Sequence, residues 1–154
     1  MKKIVGIASF ITVLDQLIKY LVTIFMALGE SVGLIPHFFS LTFVKNRGVA
    51  FSLFEGSQIP IIALSIMVLF VLYIWVKKQK KDSWNIFSFG LLLGGIIGNL
   101  IDRIFRAGVV DYLDFQLLGY DAPIFNLADI AVVIGGFLLI VIMWREDKRC
   151  KNIL

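Results

Sequence analysis

Four apolar runs, at about residues 4–26, 59–76, 84–101 and 125–144, constrain this chain more than any motif does. At roughly 20 apolar residues per crossing, each is long enough to span a bilayer as a helix. Together they use most of the 154 residues. The expected fold is therefore an all-α polytopic membrane protein, a single bundle over 1–154 with no room for a separate soluble domain. A mean hydropathy of +0.91, with 59% hydrophobic residues, agrees. The first run is too long for the core of a signal peptide, and no small-residue cleavage pattern follows it, so it reads as a retained span.

The net charge of +4 falls in blocks beside the apolar runs rather than along one exposed face, which argues against nucleic acid as a partner. Lys2, Lys3, four lysines at 77–81 and Arg145, Lys148, Arg149 and Lys151 make ten cations at one end. Opposite them stand four: Lys45, Arg47, Arg103 and Arg106. The positive-inside rule then places both termini in the cytoplasm, with Trp75 and Trp84 at headgroup level. Segments 29–58 and 102–124 share the outer face, while Cys150 lies on the other side, without a disulfide partner.

Segment 29–58 contains Gly29, Gly33, Pro36, Gly48 and Gly56, and His37–Val44 partly alternates apolar and polar residues. That pattern predicts strands in a small cap on the membrane surface. His37 is the only histidine, so a His/Cys metal cluster is not available, and no metal or cofactor is expected. In the third run, Gly90, Gly94, Gly95 and Gly98 fit close helix packing.

Polar residues inside or at the edge of such runs are costly and are functional candidates. Asp15 and Lys19 lie four apart on one helix face that must point inward, either as a structural ion pair or as part of a site. Asn99 and Arg103 close the third run, Asp111 lies in the following segment, and Asn126 and Asp129 open the fourth, with Asp129 about 6 Å in at 1.5 Å per residue. Antiparallel packing of the third and fourth helices would bring these groups together at the outer surface. They make neither a Ser/His/Asp set nor a Cys/His pair nor a phosphate-binding loop. What they supply is two carboxylates, Asp111 and Asp129, which can share a proton and act as acid and base on water. Capping by Asn126 and an Asp102–Arg106 pair at i, i+4 are the structural alternatives. A proton-relay carrier is the rival reading, but a relay would place its carboxylates deeper in the bilayer.

At these positions the sequence resembles the bacterial lipoprotein signal peptidases, the signal peptidase II family. The match runs through Asp15-Gln16 with Lys19, Asn46 with Gly48, Ala50 and Phe51, Gly94–Arg103, Val109-Val110-Asp111 and Phe125–Asp129. Ile18 stands where Thr is usual, Tyr112 where Phe is usual, and Arg47 fills the variable place after Asn46. The resemblance implies four spans, a small extracytoplasmic β-cradle after the first, and a second outer loop segment over the site. It implies a monomeric aspartyl endopeptidase of the cytoplasmic membrane, with no cofactor, acting amid membrane lipids. Its substrates would be prolipoproteins carrying diacylglyceryl cysteine, cut before that cysteine, and cyclic peptide inhibitors would bind the same site. Carried over, Asp111 and Asp129 are catalytic, and Asn46, Asn99, Arg103 and Asn126 bind substrate or order the site. Asp15, Lys19, Asp102 and Asp114 support it.

Overall fold

The computed structural model describes residues 1–48, 58–80, 82–117 and 120–151; Ala50, Phe51 and Gly56, named above, lie outside the described residues. Four helices, α1 (Lys2–Phe25), α2 (Ile59–Lys78), α3 (Ser83–Arg106) and α4 (Leu127–Lys151), are each long and apolar enough to cross a membrane. Four strands, β1 (Ser31–Ile35), β2 (Phe39–Asn46), β3 (Val109–Leu117) and β4 (Tyr120–Asp121), form an antiparallel sheet in that order at one end of the bundle.

The central helix is α3. Half of its membrane-crossing window is buried, against 17–22% for the others. Its glycines explain the closeness. A Cβ at Gly94 would stand 2.8 Å from the carbonyl oxygen of Ala8 on α1, and one at Gly95 would collide with the carbonyl oxygen of Ala128 on α4. A Cβ at Gly98 would lie 2.6 Å from Asp15 Oδ2. Two backbones thus approach α3 from two sides, which side chains at these positions would forbid. At the far end Ile4, Leu72, Val76, Phe89 and Leu139, from all four helices, make one apolar cluster.

Asp82 starts α3 by accepting the N–H of Asn85 at 2.8 Å, an N-cap. Ala107 ends it in the left-handed conformation, φ 52°, and swings the chain into β3. The helix therefore runs five residues beyond the apolar run, because Asp102 and Arg106 find partners in Lys19 and Gln16 of α1 and need not leave the helix. At α4 the boundary moves the other way. Phe125 bridges Leu113 of β3 and its ring stacks on Phe115, so the helix begins only at Leu127. Asp129 is accordingly in the first turn, about 3 Å in rather than about 6 Å.

The expected strand in 37–44 is β2, paired with β1 across a turn in which His37 is exposed and has φ 57°. The second outer segment is not a separate loop: β3 pairs with β2, Phe39 opposite Phe115 and Val44 opposite Asp111, with a bulge between Leu41 and Val44. The described strands of both segments are thus one sheet. It is seated on the end of α1 by Val22, Phe43, Val110 and Tyr112.

Gly95→Ala is expected to cost about 1–3 kcal/mol, since a methyl group there meets backbone. Gly136→Ala, where a Cβ meets nothing within 4 Å, should be neutral or stabilising. Thermal unfolding of both variants in detergent compares them.

Candidate active site

The site lies where the ends of α1, α3 and α4 nearest the sheet meet β2 and β3. Its hub is Asn126, which is fully buried just before α4. Asn126 Oδ1 accepts the N–H of Asp129 at 3.0 Å, and Asp129 Oδ2 accepts the N–H of Asn126 at 3.1 Å. This is a capping box with Asn and Asp in the two roles. Because Oδ1 faces the helix, Nδ2 must face outward from it, and its hydrogens reach Asp111 Oδ1 (2.6 Å) and Asn99 Oδ1 (3.2 Å). Asn99 is oriented by the same logic. Its Oδ1 also accepts from Lys19 Nζ at 2.9 Å, a group that can only donate, so Nδ2 turns to Asp129 Oδ1 at 2.7 Å. The two carboxylates are therefore joined through a pair of amides whose orientations the network itself fixes.

On the open side, Asn46 Nδ2 donates to Asp111 Oδ2 at 3.2 Å, while its Oδ1 accepts the N–H of Gly48. Arg103 Nη1 donates to the carbonyl of Asn99 at 3.3 Å, and Arg103 Nε is buried without a hydrogen-bond partner among the described residues. Asp111 is 2% exposed, Asp129 half-buried and Asn46 exposed, so the pair is reached from the Asp129 and Asn46 side. Burial, reinforced by the nearby charge of Asp129, pushes the Asp111 carboxyl up to about 6 despite the hydrogen bonds from Asn126 and Asn46 and the charge of Lys19.

Beneath the pair lies a layer of buried charge. Lys19 Nζ is 2.8 Å from Asp15 Oδ2 and 2.8 Å from Asp102 Oδ2, all three side chains being fully buried. Arg106 pairs with Asp102 and donates to Gln16 Oε1, and Gln16 Nε2 donates to Gly98 O and Asp102 Oδ1. Two carboxylates thus meet two cations. Their remaining oxygen capacity is spent on backbone: Asp15 Oδ1 accepts the N–H of Ala128, and Asp102 Oδ2 that of Val110. Each of those residues adjoins one of the two site aspartates.

The sequence-derived set divides in space. Asp111, Asp129, Asn46, Asn99, Arg103 and Asn126 come together, with Asp15, Lys19 and Asp102 directly below. Asp114 is elsewhere: its Oδ2 accepts from Thr42 Oγ1 at 2.6 Å, a tie between β3 and β2. Three contributors were not singled out from sequence: Gln16, Arg106 as more than a partner of Asp102, and Tyr112. Tyr112, buried and pushed up to about 12 chiefly by that burial, accepts the N–H of Leu127 at 3.2 Å. Among the described residues no group of three or more His, Cys, Asp or Glu is placed to hold a metal ion.

A family model described as Signal peptidase (SPase) II matches residues 7–145. The chain belongs to the signal peptidase II family. The lipoprotein signal peptidase of Halothermothrix orenii is 42% identical over 142 residues, 92% of this chain and 95% of that protein. That of Staphylococcus aureus is 35% identical over 147 residues, 95% of this chain and 90% of that protein. Two solved structures, each titled as a bacterial membrane enzyme structure by the in meso method, superpose with TM-scores of 0.88 and 0.83. Their identities are 33% and 34%, covering 97% and 93% of this chain and 92% and 93% of theirs. Membership of the signal peptidase II family makes the protein a multi-pass membrane peptidase that removes signal peptides from lipoproteins.

In this signal peptidase II family member, Lys19→Met strands Asp15 as a buried carboxylate without a cation and leaves Asp102 to Arg106 alone, with an expected cost of about 3–5 kcal/mol. Lys80 pairs with Glu146 at 3.4 Å where both are exposed, so Lys80→Met should cost less than about 1 kcal/mol. Denaturant unfolding of the two variants in the same detergent measures the contrast.

Proposed function

We propose that the protein is an aspartyl endopeptidase with Asp111 and Asp129 as its catalytic pair. The observation that carries this reading is the amide bridge: Asn126 and Asn99 hold the two carboxylates in one network that opens past Asp129 and Asn46. Burial pushes the Asp111 carboxyl up to about 6, so below that pH it holds a proton and is the acid, while Asp129, the more accessible of the two, is the base. Asp129 takes a proton from water, whose oxygen bonds to the scissile carbonyl carbon. Asp111 gives its proton to the carbonyl oxygen. As the tetrahedral intermediate collapses, the C–N bond breaks, Asp129 returns its proton to the leaving amine, and Asp111 recovers one from the gem-diol.

The substrate is a prolipoprotein whose cysteine carries diacylglycerol, cut just before that cysteine at the outer face of the cytoplasmic membrane. Ten cations at one end of the bundle against four at the other support cytoplasmic termini and an outward-facing site. A peptide bond within a continuous helix is shielded, so the signal helix must unwind beside the pair. Each freed backbone group left unmet in the apolar layer costs several kcal/mol. Arg103, with an uncommitted Nε, and Asn46, at the rim, take up those groups. Asn126 has already given its N–H groups to Asp111 and Asn99, and orders the pair. The diacylglycerol stays in lipid, where about 0.8 kcal/mol per buried CH₂ anchors the substrate. The chain acts as a single-domain monomer without a cofactor, and cyclic peptide inhibitors compete at the same site.

Purified protein incubated with a diacylglyceryl prolipoprotein should release a fragment of signal-peptide mass. Asp111→Asn and Asp129→Asn should each slow this by at least about a thousand-fold while still inserting and binding substrate. Asp114→Asn should be mild. Full activity in Asp111→Asn, with Asp114→Asn inactive, would place the chemistry elsewhere. The bare precursor should be cut far more slowly; equal rates would rule out recognition through the lipid.

The pair works with one proton. Raising the pH through about 6 removes that proton from Asp111, so kcat/KM should fall on the alkaline side with an apparent pKa near that value. Lowering the pH until both carboxyls are protonated removes the base, so the profile should be bell-shaped. A rate that stays flat between pH 5 and pH 8 would contradict the assignment of the proton to Asp111.

A further inference from the structure

Of the four cations at the outer end, two are consumed by the site: Arg103 donates to Asn99 and Arg106 to Asp102 and Gln16. The other two, Lys45 and Arg47, make no ion pair among the described residues, yet they share one groove of about 280 Å³ with Leu28, Gly29, Phe43 and Val44. Lys45 is the last residue but one of β2, and Arg47 follows its end. A Cβ at Gly108 would lie 3.2 Å from Lys45 Cγ and 3.3 Å from Arg47 Cγ, so the two aliphatic stems lie against the same glycine and are held side by side. The groove's apolar lining includes Leu28, three residues beyond the end of α1; Leu28 is 66% and Phe25, the last residue of α1, 75% exposed, as lipid-facing residues are.

We propose that this groove binds an anionic glycerophospholipid, its phosphate between Lys45 and Arg47 and an acyl chain running down past Leu28 and Phe25. Charge complementarity calls for an anion, and the lipid-facing end of α1 calls for one that carries hydrocarbon. Neither inorganic phosphate nor an acidic peptide meets both requirements. Two convergent cations at the membrane surface favour an anionic over a zwitterionic headgroup. The site is distinct from the aspartate pair but adjoins it. Asn46, between the two cations in sequence, donates to Asp111, so a lipid held by its neighbours steadies that donor.

The full chain in a neutral detergent is titrated with phosphatidylglycerol, with phosphatidylcholine of the same acyl chains, or with inorganic phosphate. Melting temperature and lipid adducts in native mass spectra are read in parallel. Phosphatidylglycerol should raise the melting temperature saturably and give a retained one-lipid adduct, about ten-fold tighter than phosphatidylcholine. Lys45→Gln/Arg47→Gln should lose that preference. Lys77→Gln/Lys78→Gln, the same charge change at the opposite end, should keep it. The single exposed change Arg47→Gln should weaken it part-way and serves if the double variant does not fold. The proposal is overturned if the wild type and the 45/47 variants respond alike, or if phosphatidylcholine or inorganic phosphate protects as well as phosphatidylglycerol. Saturable binding of an acidic peptide without any phosphatidylglycerol preference would likewise overturn it. Neither readout depends on cleavage, so the result is independent of the catalytic assignment.

Discussion

Lys19 Nζ stands 2.8 Å from a carboxylate oxygen of Asp15 and 2.8 Å from one of Asp102, inside a bundle that shows none of the three to solvent. Burying charge is costly unless partners and further hydrogen bonds compensate, and here they do: Arg106 balances the second carboxylate and Gln16 supplies more donors. The cluster also acts on backbone. Through Asp15 it holds the N–H of Ala128, and through Asp102 that of Val110, fixing α4 and β3 one residue from Asp129 and Asp111 respectively. Substituting Lys19 would therefore disturb both aspartates at once without touching either.

The start of α4 shows how a local rule of helix chemistry and a site can coincide. A helix leaves its first four N–H groups without internal partners. Here Asn126, Leu127, Ala128 and Asp129 give theirs to Asp129, Tyr112, Asp15 and Asn126 in turn. Capping and site ordering are not alternatives for Asn126. Its oxygen performs the first and thereby aims its nitrogen for the second.

The four crossings were legible because a bilayer admits few sequences, and the convergence of Asp111, Asp129, Asn99, Arg103 and Asn126 followed from crossing parity alone. The boundaries were less so. Phe125 extends an apolar run in sequence, but its ring belongs with Phe115 in the sheet. Asp102 and Arg106 lie beyond the apolar run, and although their i, i+4 spacing suits a helix, the partners that stabilise them there, Lys19 and Gln16, lie more than 80 residues earlier. Val109–Leu117 reads from sequence as part of a loop segment, since nothing local says that β2 is its mate. Asp114 shares its run with Asp111, and only the register shows that it belongs to Thr42 instead.

The hydrogen bond from Ala128 to Asp15 spans 113 residues, from the first crossing to the last. Until α4 has emerged from the ribosome and entered the bilayer, Asp15 lacks that donor, Asn99 lacks Asn126, and Asp129 does not yet exist in the membrane. On the proposed assignment of Asp111 and Asp129, hydrolysis therefore waits for the fourth helix. On that assignment, a nascent copy is inert toward the signal peptides of other chains, and toward its own first crossing, until α4 stands beside α3.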